Sequence, residues 1–188
     1  MFGDSMTNPM RWELVELRTI CSKITDGEHI TPKRASQGVY LLSARNILNH
    51  RIDIADVDYI DESEYARISK RLVPKKGNIL ISCSGSVGRV AQIKDDTRYQ
   101  MVRSVAILQL DKQVEPSFVE YCFTTNFIQM QILQSINQSS QANLFIRKIH
   151  NIRIPLPPIE NQIHFTNFVR QTDKSKFVIE SAIILVRQ

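Results

Sequence analysis

The strongest constraint on the fold is a cluster of prolines before a long segment without helix breakers. Pro155, Pro157 and Pro158 fall within four residues, and neither proline nor glycine occurs from residue 159 to residue 188. Proline is favoured at the first position of a helix, and Glu160 complements the positive end of the helix dipole. The pattern therefore predicts a helix that begins at the prolines and continues to the last residue.

The apolar residues of this predicted helix form an incomplete stripe. Its members are Ile159, Ile163, Phe168, Ile179, Ile183 and Val186, with gaps around Thr172 and Lys176. The spacing is too irregular for a firm heptad repeat, but it suits a helix that packs along a partner. Because an exposed apolar helix end is unfavourable in water, we expect another helix to cover it, in a dimer or a larger complex.

The residues before the prolines predict a mixed domain. Apolar runs predict strands over residues 39–43 and 105–110 and a strand–turn–strand over residues 79–93. We therefore expect an α+β fold. Residues 1–10 are assigned to a loose arm, residues 11–154 to the globular domain and residues 155–188 to the helix.

Capping patterns predict three helical segments in this domain. Asp61 begins a D-x-x-E pattern before a helix over residues 62–71. Ser117 and Glu120 form a capping box for a helix that extends to residue 136, with Val119, Phe123, Met130 and Leu133 near helical spacing. Asn143 is expected to cap one short turn that ends at residue 149.

Composition narrows the class of protein. The net charge of +5 permits a polyanionic partner without requiring one. No apolar run approaches the roughly 18 residues that cross a membrane, and the first residues lack the pattern of a signal peptide. The three cysteines are far apart and the four histidines form no close pair, so reduced thiols, a cytoplasmic location and no metal site are expected.

The turn Ser84-Gly85-Ser86-Val87-Gly88 invites two chemical interpretations. A nucleophile elbow requires G-x-S-x-G before a helix, but serine occupies the first position here and residues 89–93 favour a strand. A Walker phosphate loop requires a wider glycine spacing followed by lysine. The sequence thus favours a tight strand-to-strand turn, and a small serine hydrolase using Ser86 remains the less favoured alternative.

Basic and hydrogen-bonding residues occur together in the predicted loops. Lysine and arginine can neutralise phosphates, whereas Asn, Gln, Ser and Arg can contact base edges. The candidate DNA-binding residues are Thr25, His29, Thr31, Lys33, Arg34, Arg45, Asn46, Lys75, Lys76, Arg89, Arg103, Gln138, Ser139 and Gln141. The same mixture also suits an ordinary solvated loop.

Five short motifs occur in a characteristic order. They are Trp12-Glu-Leu-Val-Glu-Leu, Thr25-Asp-Gly-Glu-His-Ile-Thr-Pro, Gly77-Asn-Ile-Leu-Ile-Ser with the following turn, Ser139-Ser-Gln-Ala-Asn-Leu, and Ile154-Pro-Leu-Pro-Pro-Ile-Glu-Asn-Gln. Over residues 11–188 this order resembles one half of the DNA specificity subunit of type I restriction–modification systems. Asn161 departs mildly from the family, which usually has glutamate or a similar polar residue there.

The resemblance implies a target recognition domain that binds one half of a bipartite DNA sequence, followed by a spacer helix. Such helices pack as an antiparallel coiled coil and bind methyltransferase subunits, which a restriction subunit joins. S-adenosylmethionine, ATP and Mg²⁺ are then expected only on those partner subunits. Because this chain has one domain and one helix, it is expected to be a half-length subunit that pairs as a homodimer, or a fragment.

A second class of function remains open beside the DNA-binding one. The chain could be a protein-interaction module that acts through its C-terminal helix and never contacts DNA. On the DNA-binding hypothesis, Arg34 and Arg45 contact DNA, so replacing both with alanine is expected to weaken duplex binding and flatten its salt dependence.

Overall fold

The computed structural model describes residues 10–136 and 142–186, with side chains described as far as Thr172. The strands in this part of the chain are β1 (Leu14–Glu16), β2 (Cys21–Asp26), β3 (Val39–Leu42), β4 (Ile47–Leu48), β5 (Arg51–Ile52), β6 (Asp58–Ile60), β7 (Ile79–Ser82), β8 (Val90–Gln92), β9 (Tyr99–Met101), β10 (Val105–Leu110) and β11 (Arg153–Pro155). The α-helices are α1 (Glu62–Ser69), α2 (Pro116–Phe123), α3 (Asn126–Ser135), α4 (Ile146–His150) and α5 (Ile159–Val186). The predicted mixture of helices and strands is confirmed.

A four-stranded antiparallel sheet forms the centre of the domain, in the order β2-β10-β7-β8. Next to it is a three-stranded sheet, in the order β6-β3-β9, in which β3 and β9 run parallel. Strands β1 and β11 pair antiparallel, so the start of the domain is joined to the segment that precedes α5.

The central strands are buried on both faces, which explains their continuous apolar runs. In β7, Ile79 and Ile81 pack into the core that contains α2, α3 and α4. Leu80 points to the opposite face, where it packs with Ile107 and Met101. The predicted strand–turn–strand at residues 79–93 is confirmed, because β7 pairs antiparallel with β8.

The predicted capping box at Ser117 and Glu120 is wrong. Helix α2 begins at Pro116, and the side chains of both residues bond instead to Gln92 on β8. The Ser117 hydroxyl donates to Gln92 Oε1 at 2.9 Å, and the buried Glu120 carboxylate accepts the Gln92 amide at 2.7 Å. These polar groups therefore join α2 to the sheet.

Glu120 is a buried acid that lies close to one histidine and one lysine. Its Oε2 lies 3.4 Å from His50 Nδ1 and 3.7 Å from Lys94 Nζ. Burial alone would raise the pKa of Glu120, but its contacts with His50, the Gln92 amide and Lys94 outweigh that effect and hold the pKa below its usual value. Glu120 thus packs as a carboxylate between α2, β8 and the turn at His50.

The long helix predicted to end at residue 136 is two helices, α2 and α3. Thr124 and Thr125 separate them, and each hydroxyl donates to the carbonyl three residues earlier. The predicted stripe was partly wrong: Ile128 and Ile132 are buried, whereas Met130 and Leu133 are exposed. Asn143 does not cap the next helix, because α4 has Phe145 at its N-cap.

Helix α5 is anchored to the domain near its first turn. Gln162 is 1% exposed, and its side chain accepts the Glu115 amide and donates to the Pro157 carbonyl. Phe165 packs edge-to-face on Phe118 and Tyr121 of α2. Within the described residues, no helix is both long enough and apolar enough to cross a membrane.

Candidate nucleic-acid interface

The ends of three strands meet at one edge of the central sheet. In the antiparallel register, Asp26 at the end of β2 faces Ala106 in β10, and Ser82 at the end of β7 faces Val105 at the start of β10. The segments that leave these ends carry polar and charged side chains. We call this edge the strand-end site and define it by Asp26, Ser84, Arg103, Ser104, Asn143 and Phe145.

A cavity of about 340 Å³ opens at the strand-end site. It is lined by Asp26, Cys83, Ser84, Arg103, Ser104, Asn143, Leu144, Phe145 and Ile146. Its walls are tied to the sheet through the backbone, since the Cys83 amide donates to Ser104 and the Leu144 amide donates to Cys83. The cavity combines a carboxylate, a guanidinium, hydroxyls and an amide with one exposed aromatic ring, which is a composition suited to polar recognition.

The small-residue turn that forms one side of this edge is held by its own backbone. The buried Ser82 hydroxyl donates to the Ser86 carbonyl and accepts the Arg89 amide. Gly85 and Gly88 have positive φ angles of 67° and 84°, a region that favours glycine. The hydrolase alternative requires a helix after Ser86, whereas β8 follows this turn.

Arg103 occupies the turn between β9 and β10. The Val105 amide donates to the Val102 carbonyl, and the Arg103 amide donates to the Glu28 carbonyl at 3.1 Å. The Arg103 side chain is exposed. Among the described residues, no carboxylate lies within ion-pair distance of its guanidinium, so its charge faces solvent uncompensated by a direct partner.

Asp26 is held in place by Arg71, which follows α1. Nη2 of Arg71 donates to the Asp26 carboxylate at 3.2 Å and to its carbonyl at 2.8 Å, while Nη1 donates to the Gly27 carbonyl. His29 Nε2 lies 2.9 Å from the same carboxylate oxygen of Asp26. The carboxylate is therefore fixed at the cavity wall, with a fifth of its side chain still exposed.

Arg34 and Arg45 lie elsewhere, beside β6, and both are paired with acids. Arg34 Nε lies 3.0 Å from Asp58, and Arg45 Nη2 lies 3.4 Å from the other oxygen of the same carboxylate. Arg45 Nε also lies 3.5 Å from Asp56. We call Arg34, Arg45, Asp56 and Asp58 the Asp58 cluster, in which the two positive and two negative charges balance.

Asn46, which the sequence predicted to contact DNA, is buried and holds a loop together. It is 2% exposed, its amide donates to the carbonyls of Asp53 and Asp56, and its oxygen accepts the Ser43 amide. These bonds use the polar atoms of the side chain. Asn46 therefore shapes the loop that carries the Asp58 cluster and does not reach solvent.

The other predicted contacts are spread over the domain. Lys75 and Lys76 precede β7 and lie at the end of that strand opposite to the strand-end site. Lys76 lines a groove with Ile159 and Ile163 of α5. Thr25 lies within β2, where sequence analysis placed a loop, and its hydroxyl accepts from Arg71.

Thr31 and Lys33 are exposed in the loop after β2, and Arg89 is half-buried where the turn enters β8. Gln138, Ser139 and Gln141 lie outside the described residues, as do residues 1–9 of the predicted arm. The structure thus places Arg103 in the strand-end site, with His29 in contact with Asp26 at its margin. Lys75, Lys76, Arg34 and Arg45 lie elsewhere on the domain.

Sequence analysis missed Asp26, Arg71, Asn143 and Phe145 as parts of one site. Asp26 appeared only within the motif that begins at Thr25, and Asn143 appeared as a predicted cap and within the motif that begins at Ser139. Asn143 in fact forms an isolated β-bridge with Ser84. A possible signal was Phe145, a large apolar residue next to a polar loop, which is 51% exposed.

The cavity offers little support for nucleophilic or metal chemistry. Burial raises the pKa of the Cys83 thiol to about 12, so this cysteine is a neutral packing residue at neutral pH. In the described part of the chain, the Ser86 hydroxyl makes no hydrogen bond to a histidine. No group of three or more potential metal ligands is found among the same residues.

A family model described as the type I restriction modification DNA specificity domain matches residues 9–185. The chain belongs to this family. Among curated proteins, the specificity subunit of the type I restriction enzyme EcoBI from Escherichia coli is 25% identical over 135 residues, which are 71% of this chain and 28% of that protein. A putative type I restriction enzyme specificity subunit, MjaX, from Methanocaldococcus jannaschii is 25% identical over 173 residues, covering 88% of this chain and 40% of that protein.

Solved structures of type I restriction–modification proteins share the fold. A chain from a structure on complex assembly and conformational transition of a type I system has a TM-score of 0.67 at 17% identity, covering 93% of this chain and 41% of that one. The HsdS subunit of Thermoanaerobacter tengcongensis has a TM-score of 0.61 at 17% identity, covering 93% and 40%. This specificity-domain chain therefore spans less than half the length of these relatives.

Proposed function

We propose that the chain is a non-catalytic DNA-binding specificity subunit that recognises one half-site of a bipartite target. Membership of the specificity-domain family supports DNA recognition in general. The observation that supports this surface is the convergence of three strand ends on one cavity. There, the exposed Arg103, which pairs with no described carboxylate, lies beside the fixed Asp26. In this proposal, exposed lysines and arginines supply salt-dependent affinity, and the strand-end site supplies sequence preference.

We also propose that α5 pairs with the same helix of a second copy, as an antiparallel coiled coil. Ile163 and Phe168 support this because they are 44% and 57% exposed on a helix that is otherwise anchored to the domain. The same apolar residues favour the alternative of a pure protein-interaction module. Ile179, Ile183 and Val186 belong to the predicted stripe, but their side chains lie outside the described residues.

In the complete system, the paired subunit would recruit methyltransferase subunits and a restriction subunit in the cytoplasm. S-adenosylmethionine, ATP and Mg²⁺ would be bound by those partners. A homodimer would present two identical recognition domains, so the DNA target would be an interrupted palindrome.

Competition binding separates DNA recognition from a pure interaction role. The full chain is incubated with a pool of randomised duplexes at low salt and then with excess unrelated competitor duplex. Enrichment of one sequence that survives competition is the expected result. Complete loss of binding to the competitor, with no enriched sequence, would support the interaction module instead.

Light scattering tests the helix-pairing proposal. Phe168→Asp places a charge on the exposed apolar stripe and is expected to convert a dimer into a monomer at tens of micromolar protein. Asn167→Asp introduces the same charge at the neighbouring exposed position and is expected to leave the dimer intact. A wild-type chain that is strictly monomeric would contradict the pairing.

A further inference from the structure

We propose that the strand-end site reads one G·C base pair, with Arg103 contacting the guanine and Asp26 contacting the cytosine. This inference rests on the proposed function and assigns a base specificity to one place on the domain. It also gives Asp26, an acid in a basic protein, a direct role in recognition.

The charges of the cavity favour a base edge over a phosphate. A phosphate site collects cations and backbone amides, whereas the Asp26 carboxylate would repel a phosphate at this wall. In the major groove, cytosine presents an amino donor, and carboxylates accept from it. Guanine presents two acceptors, O6 and N7, which match the forked donors of an arginine.

The two side chains are positioned on neighbouring segments that are bonded to one another. The Gly27 amide donates to the Val105 carbonyl at 3.0 Å, and the Glu28 amide donates to Met101 at 2.7 Å. The backbone on either side of Arg103 is thereby fixed against the segment that follows Asp26. Both side chains line the same cavity, which places a donor fork and an acceptor pair side by side for one base pair.

The two groups differ in how firmly they are held. Arg71 and His29 contact the Asp26 carboxylate and orient it before any ligand arrives. Arg103 keeps its guanidinium donors available, because no described carboxylate binds them. The exposed ring of Phe145 forms an apolar wall of the same cavity and would limit access of water to the base edges.

Four variants of the full chain test the assignment in the randomised duplex pool. Arg103→Lys keeps the charge and removes the fork, and Asp26→Asn keeps an acceptor for Arg71 but adds an amide donor. Each is expected to reduce the preference for G·C at one and the same target position by about 10-fold or more, with other positions unchanged.

Two further variants are controls. Lys112→Ala, at the opposite end of β10, removes one positive charge away from the strand-end site, and Arg103→Ala removes the proposed contact completely.

Salt dependence and stability separate the outcomes. Arg103→Lys is expected to keep the wild-type dependence of duplex affinity on salt concentration, because the charge is retained. A urea titration checks that Asp26→Asn remains folded. If Arg103→Ala lowers affinity equally for all sequences and reduces the slope by about one, Arg103 contacts a phosphate; the inference is then overturned while the proposed function stands. If both conservative variants keep every base preference, the inference is also overturned. If the wild-type chain enriches no sequence, the proposed function fails and the inference fails with it.

Discussion

The strand-end site and the Asp58 cluster both contain arginines that sequence analysis assigned to DNA, but their electrostatic surroundings differ. Arg34 and Arg45 share Asp58, and Arg45 also approaches Asp56, so this cluster carries no net charge. Arg103 has no such partner among the described residues, and the nearby Asp26 is occupied by Arg71 and His29. A cation in a loop therefore indicates a nucleic-acid surface only when the neighbouring carboxylates do not pair with that cation.

Each of the two regions contains one residue whose side chain holds the local backbone by hydrogen bonds. Replacing that residue should show whether the region contributes to stability alone or also to sequence preference. Asn46 donates to the Asp56 carbonyl in the loop of the Asp58 cluster, and Arg71 donates to the Asp26 carbonyl at the strand-end site. Removing either should cost stability. Only removal of the second should change sequence preference, because only the strand-end site is proposed to contact base edges.

The largest expected effect on stability is that of Asn46→Ala. This change leaves the Ser43 amide and the carbonyls of Asp53 and Asp56 without their partner, in a position that is 2% exposed. We expect the free energy of unfolding to fall by about 2 kcal/mol in urea titrations, with the base preferences of the folded protein unchanged. Asn151→Ala, in an exposed turn, is the matched control. A shift in base preference without loss of stability would restore Asn46 as a DNA contact.

Arg71→Ala should have a smaller effect on stability and a clear effect on recognition. It removes donors to Asp26 and to the Gly27 carbonyl, but the side chain is partly exposed, so a loss of about 1 kcal/mol is expected. Because Asp26 is then less well oriented, the preference at the proposed G·C position should weaken in the duplex pool. Lys70→Ala changes the charge of the neighbouring exposed residue and should leave that preference intact.

The double change of Arg34 and Arg45 to alanine should weaken duplex binding less than Arg103→Ala does. Each of the two arginines would have to leave a carboxylate before it neutralised a phosphate. Surface ion pairs contribute little to stability, so the loss in unfolding free energy should stay below about 1 kcal/mol. A filter-binding titration over a range of salt measures the comparison. A larger loss of affinity for the double variant would move the DNA surface to the Asp58 cluster.

The smallest expected effect is a gain in binding. Asp58→Asn releases Arg34 and Arg45 from their shared carboxylate and should raise non-specific duplex affinity at low salt by about 2-fold. Asp96→Asn makes the same change in net charge at an exposed position and serves as the control. Equal gains in duplex affinity for the two variants would show that the affinity depends on net charge alone and not on the release of Arg34 and Arg45.

The sequence predicted those parts of the fold that are determined by residues close together along the chain. The continuous apolar runs of β7 and β10 identified buried strands, and the prolines identified the start of α5. The capping box at Ser117 and Glu120 failed because both side chains bond to Gln92, which is distant in sequence and adjacent only across the α2–β8 contact. A pattern within four residues cannot reveal a competing partner from another strand.

The candidate site was less predictable for the same physical reason. Arg103, Asp26 and Asn143 come from three separate segments, and the antiparallel register of the central sheet brings them to one edge. Likewise, the pairing of Arg34 and Arg45 with Asp58 depends on β6 lying beside β3. Among the residues predicted to bind DNA, Arg103 lies at this edge and His29 contacts Asp26 beside it. No pattern in the sequence ranked these two above the paired arginines.

A methylation map of plasmid DNA tests the central claim most directly. Cells would carry the methyltransferase partner with either the wild-type chain, the Arg103→Lys variant or the double variant of Arg34 and Arg45 to alanine. A base-reading role of Arg103 predicts one interrupted motif for the wild type, the same motif for the double variant, and relaxed choice at a single G·C position in each half-site for Arg103→Lys. An unchanged motif for Arg103→Lys together with an altered motif for the double variant would contradict it.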